Sequence, residues 1–201
     1  MTSTVNTDAP AYLDGGVLTD GEAWVPLATT VVSGGSTAVV TFTSSTGAND
    51  WSQYMDLRLI SNGRQGDGGT GMVMKMNLNN DTGANYCYQM FYSPTSGSTP
   101  VAASSTTNSY MDFFWYPPSA TAANVVASSI TTLFDINSGK YKNGTMQMVN
   151  DMVGTGYVFL SPGTWKNQSP ITEIDLVDYG GDNIAADSRF DLFGLLPRMG
   201  A

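Results

Sequence analysis

The stretch Met72-Val73-Met74-Lys75-Met76-Asn77-Leu78 decides the fold class. Met72, Met74, Met76 and Leu78 recur every second residue, with Lys75 and Asn77 on the opposite face, the signature of a half-buried antiparallel strand. Working outward, Met55-Asp56-Leu57-Arg58-Leu59 repeats the pattern. Residues 171–178 show a mixed version: Ile171, Glu173, Asp175 and Val177 alternate against Thr172, Ile174, Leu176 and Asp178. That mixture predicts a strand with one face packed in protein and one near an edge.

Short apolar runs broken by Gly, Ser, Asn and Pro extend this reading along the chain. They predict strands at 25–32, 38–43, 54–61, 72–78, 86–92, 109–116, 124–136, 145–150, 157–161, 171–179 and 189–195. The best helical candidate, residues 120–129, contains Val125 and Val126 and is followed by Ile130, which serve a strand equally well. The fold class expected is all-β, an antiparallel sandwich or barrel in one domain. Residues 1–23, small, polar and acidic, read as an N-terminal arm, and 24–201 as a single domain ending in a short tail. The Ser- and Thr-rich segment 93–109 reads as a long surface loop.

Composition narrows the function classes. The 201 residues carry eight Lys plus Arg against 17 Asp plus Glu, a formal charge of −9. Such a surface lacks the basic face that counterion release from DNA or RNA requires, so no nucleic acid partner is expected. Histidine is absent, which excludes every triad, thiol pair and zinc site that needs imidazole. The lone Cys87 has no intrachain disulfide partner. No apolar run reaches the length of a membrane span, and residues 1–12 lack the charged and apolar regions of a signal peptide. Neither a membrane partner nor a cofactor is expected.

Three local motifs have competing readings. Gly66-Asp67-Gly68-Gly69-Thr70-Gly71 matches G-x-G-x-x-G letter for letter, but the residues after it alternate as a strand. A pyrophosphate-binding turn needs a helix N-terminus there, so an inter-strand loop is the better reading. The aspartates between 175 and 191 lack EF-hand spacing, and Asx turns account for the 179–183 loop without a cation. Glycoside hydrolysis needs two facing carboxylates, and only Glu22 and Glu173 supply glutamate. No sequence feature selects a catalytic pair, and the expectation is a protein without enzyme activity.

The most unusual local sequence is Tyr110-Met111-Asp112-Phe113-Phe114-Trp115-Tyr116. Four consecutive aromatics place two on each face of a strand, so both faces are covered or one is exposed for contact. Core packing, subunit contact and sugar binding all fit. Phe113, Phe114, Trp115, Tyr116 and, further on, Trp165 are the candidate subunit or partner contacts.

The order of segments from residue 24 to about 195 resembles a family of small virion structural proteins of tailed bacteriophages. The resemblance rests on Trp24-Val25-Pro26-Leu27-Ala28-Thr29-Thr30 followed by Val39-Val40-Thr41-Phe42, on Asp56-Leu57-Arg58-Leu59, and on the turn 77–86, Asn-Leu-Asn-Asn-Asp-Thr-Gly-Ala-Asn-Tyr. The C-terminal third carries most of it: Trp165, Pro170-Ile171-Thr172-Glu173-Ile174, Gly180-Gly181-Asp182-Asn183 and Ala185-Ala186-Asp187-Ser188-Arg189-Phe190. Asp187 stands where the family usually has Gly, and Phe193 where Tyr is common.

The resemblance implies a jelly-roll type of β-sandwich carried on the virion, with no catalytic residues to transfer. It implies a head decoration or cement protein bound to the major capsid protein and to its own copies, as a trimer or dimer. The free-standing domain, the arm and the lack of a fibrous stalk favour that reading. The alternative is a tail fibre or tail-tip module that recognises host surface glycan through exposed aromatics. A flat apolar patch would favour subunit packing, and an aromatic-floored groove with converging polar groups would favour glycan.

Overall fold

Two antiparallel sheets face each other across one apolar core in the computed structural model. It describes residues 13–14, 17–18, 24–34, 36–66, 72–94, 99–118, 124–150, 156–178 and 180–196. Within the expected arm, β1 (Leu13–Asp14) pairs with β2 (Val17–Leu18) as a minimal hairpin. The larger sheet has eight strands. In spatial order they are β3 (Trp24–Val31), β16 (Arg189–Leu195), β6 (Asp56–Gly63), β11 (Ala127–Phe134), β12 (Lys142–Asn150), β13 (Tyr157–Trp165), β8 (Tyr86–Pro94) and β9 (Val101–Asn108). The smaller sheet has four: β10 (Met111–Tyr116), β7 (Met72–Leu78), β14 (Glu173–Asp178) and β5 (Val39–Thr43). A short pair, β4 (Ser36–Thr37) with β15 (Ile184–Ala185), forms its own ladder and is tied to the end of β6 by a bridge between Ile184 and Gln65. No α-helix occurs among the described residues.

The β-sandwich expected from the sequence is therefore present, and its strands follow the predicted period. Leu57, Leu59 and Ser61 of β6, Met146 and Met148 of β12, and Phe190 and Leu192 of β16 point inward. They meet Met74, Met76 and Leu78 of β7, Ile174 and Leu176 of β14, and Val40 and Phe42 of β5. Burying each large side chain contributes about 1.5–3 kcal/mol relative to exposure. The alternation of Met72–Leu78 is this core face. Methionine's unbranched, adaptable chain suits the space between two twisted sheets.

Two sequence expectations fail. Segment 93–109 is not one long loop, because Val101–Asn108 forms β9 along the outer edge of the large sheet. It pairs on one side only and is largely exposed, so it needs no apolar alternation to hold it. The strand in 171–179 does not lie near an edge. β14 is hydrogen-bonded to β5 and β7 on its two sides, and Asp175 and Asp178 on it are buried. Asp175 is satisfied there by the Thr41 hydroxyl, which donates to it at 2.6 Å.

Loop geometry explains the polar motifs. Asn79 and Asn80 hold φ of 53° and 55°, and the Asp81 N–H donates to the Leu78 carbonyl at 3.0 Å. Asparagine tolerates this left-handed pair, which turns the chain out of the small sheet toward the large one. Asn79 then latches a distant segment. Its side-chain oxygen accepts from the N–H groups of Thr172 and Glu173 at 2.8 and 3.0 Å, and its amide donates to the Pro170 carbonyl at 2.7 Å. In the 180–183 loop the Asp182 N–H donates to the Asp178 side chain at 2.6 Å, a bond four residues long rather than the two-residue Asx turn expected there. Of the G-x-G-x-x-G stretch, residues 67–71 lie outside the described residues, and the chain then enters strand β7.

Candidate functional site

The candidate contact residues fall into two groups. Tyr116 and Trp165 are fully buried, so neither reaches the surface as a partner contact. Tyr116 lies against the backbone of β6, where a Cβ on Gly63 would meet its ring at 2.7 Å. Trp165 stacks on Tyr86 at 6.3 Å between ring centroids and donates its indole N–H to Asp81 at 2.7 Å. Both serve the core because the sandwich needs large groups to fill its ends. Desolvation pushes the Tyr86 and Tyr116 hydroxyls well above the ordinary phenol range.

Phe113, Phe114 and Trp115 belong to β10 by backbone, and their side chains lie outside the described residues. The register of β10 against β7 shifts between Asp112 and Phe114. A bulge at this point breaks the simple two-and-two division of the aromatic run between faces.

Carboxylate chemistry gains no cleft. Glu173 accepts a hydrogen bond from Asn80 at the β7–β8 turn. None of the three principal cavities among the described residues is lined by two carboxylates. Among the described residues no group of three His, Cys, Asp or Glu is placed to hold a metal ion.

The most developed surface feature lies elsewhere, on the outer face of the large sheet. Cross-strand pairing sets Ile60 beside Ile130, Ile130 beside Gln147, Gln147 beside Leu160 and Leu160 beside Phe91. Further along the strands, Val149 pairs with Val158. Phe91, Ile130, Val149, Val158 and Leu160 are 49, 45, 55, 58 and 42% exposed. They border a shallow depression of about 710 Å³ whose lining, among the described residues, contains no Asp, Glu, Lys or Arg. Large half-exposed apolar groups adjoining on one face, rather than scattered singly, are the kind of surface that marks an interaction site.

Its rim is of different chemistry. Toward β16 lies the ion pair of Arg189 and Asp191 at 2.7 Å, and on the same side the Arg58 guanidinium sits 4.1 Å over the Trp24 ring. Further along the same strands, Gln89, Asn143, Thr145 and Thr164 border a more polar groove of about 500 Å³. The apolar region is thus bordered by charged groups across the strands, on β16 and β6, and by uncharged polar groups further along β8, β12 and β13.

Sequence reasoning missed this face, although a signal for it exists. Val158-Phe159-Leu160 and Met148-Val149 place apolar residues on both faces of neighbouring strands. An antiparallel sheet with one solvated face normally alternates apolar and polar, so apolar residues on both faces are the departure that signals this surface.

No family model, curated protein or solved structure matches the chain. The functional reading therefore rests on the residues and their geometry.

Proposed function

We propose that this chain is a non-enzymatic structural protein of a tailed-bacteriophage virion, a head decoration or cement protein that binds the major capsid lattice and its own copies. The observation that carries a contact function is the open apolar face formed by Phe91, Ile130, Val149, Val158 and Leu160. A broad, shallow, uncharged surface suits packing against another protein better than it suits closing around a small substrate. The ordered segments from residue 24 to about 195, which resemble virion proteins, supply the particle setting, and the jelly-roll connectivity they imply is part of this proposal. An acidic chain also stays soluble in many copies before assembly.

Immunogold electron microscopy of purified particles tests it. Gold over the head is the expected result. Gold confined to the tail would replace the decoration role with receptor binding by a tail module. Unlabelled particles that also lack the chain by mass spectrometry would overturn the virion reading.

A further inference from the structure

We infer that the apolar outer face of the large sheet is occupied by a second copy of this chain, packed face to face across a two-fold axis. This rests on the contact function proposed above and names the partner. Two features of the face select a copy over a foreign partner.

The first is charge. Each chain carries −9, so two copies repel through any face that bears the excess carboxylates. Among the described residues, the lining of this depression carries no charged side chain. A basic partner drawn by the net charge would find nothing here to pair with, whereas a like-charged copy needs a neutral surface of this kind. At the rim, Arg189 and Asp191 already neutralise each other.

The second is Gln147. It is exposed in the row between Ile130 and Leu160 and lines the depression. A primary amide carries both donor and acceptor, so it is its own complement when a two-fold axis brings two copies together. The layout agrees as well. The exposed aliphatic and aromatic groups supply an apolar centre, and Ile60, Ser93, Pro100 and Ser128 border it. An apolar centre within a more polar border is the usual plan of a protein interface. Two such faces would stack with their strands about 30° apart, as aligned sheets do.

The test is the mass of the full-length chain in solution, by sedimentation equilibrium or light scattering across a dilution series. The wild type is expected to be dimeric at micromolar concentration. Gln147→Glu and Val158→Glu should each weaken association at least about 100-fold, since each places like charges in a desolvated contact. Gln147→Lys should do the same alone, yet mixing it with Gln147→Glu should restore a dimer, which a misfolded variant could not do. Matching circular dichroism spectra and melting curves verify that the variants fold.

A monomeric wild type overturns the inference, as does a dimer indifferent to all three substitutions. A dimer that forms only with added capsid protein or another partner also overturns it. The virion reading fails separately: a monomer found on particles sinks only the dimer, and a dimer missing from particles sinks only the virion role.

Discussion

The indole N–H of Trp165 donates to the Asp81 carboxylate at 2.7 Å, tying the end of β13 to the turn that leaves β7. Asp81 also accepts from the Gly83 N–H at 2.9 Å and from the Asn85 amide at 2.9 and 3.1 Å. Its backbone carbonyl receives the Tyr86 hydroxyl at 3.0 Å and the Asn77 amide at 3.1 Å. One residue thereby organises the connection between the two sheets. Replacing Asp81 with Ala orphans a buried indole N–H and should cost about 1–3 kcal/mol in urea denaturation. Asp81→Asn retains an acceptor and should cost less.

The same residue predicts an acid-sensitive component of stability. Burial pushes the Asp81 carboxyl up, but the hydrogen bonds from Trp165, Asn85 and Gly83 outweigh it and hold the group below its ordinary value. A depressed folded-state value means that the unfolded chain binds the proton first. The stabilisation is complete above the ordinary carboxylate range near pH 4 and is lost as pH falls through the folded value. Urea midpoints measured from about pH 6 to pH 2 should fall more steeply for wild type than for Asp81→Asn.

Tyrosine ionisation gives the opposite limb. Desolvation raises the Tyr86 and Tyr116 hydroxyls, so their contribution is present below the ordinary phenol value near 10 and is lost as pH rises above it. Tyrosinate absorbance should show both groups silent in the folded chain and appearing together with alkaline unfolding. Tyr116→Phe should move that transition to higher pH.

Gly194 on β16 supports Tyr54, since a Cβ there would lie 2.4 Å from the ring. The ring is itself buried and has little room to give way. Gly194→Ala should destabilise by about 1–3 kcal/mol through overpacking. For a chain of this size that lowers the melting temperature by roughly 2–4 °C per kcal/mol.

Lys142 is fully buried and donates to the carbonyls of Ser138, Lys140 and Gln168. The ammonium closes the β11–β12 turn onto the segment after β13. Lys142→Met keeps the packing volume but leaves three carbonyls without their donor. Chemical denaturation should show a loss of about 2–4 kcal/mol, a larger effect than at any exposed lysine.

What the sequence made legible was whatever local periodicity records. Met72–Leu78 and Arg189–Leu195 match the expected spans because their alternating side chains meet the core directly. β13 runs on to Trp165, past the expected 161, because Pro162 and Gly163 look like a strand end. Pairing with β12 and β8 carries the chain through them. Trp165 and Tyr116 were visible as unusual aromatics, but their burial depends on Asp81 and Gly63, residues distant in sequence. The apolar face was hidden for a related reason. Val149 and Val158 look like ordinary strand residues until their pairing places them side by side on the solvent side.

The two borders of the large sheet bear on what copies of this chain can build. β3 carries Pro26, which has no N–H to offer a newcomer, opposite a register shift in β16 at Leu192 and Phe193. β9 ends the opposite border with the Ser- and Thr-rich run Val101–Asn108. Adding strands, the route by which sheets elongate into fibrils, is discouraged at the β3 border by Pro26, whereas β9 is an uncharged edge without proline. The β3 border therefore offers an incomplete hydrogen-bonding ladder to any strand that approaches it, so copies held at high concentration are less prone to join edge to edge there.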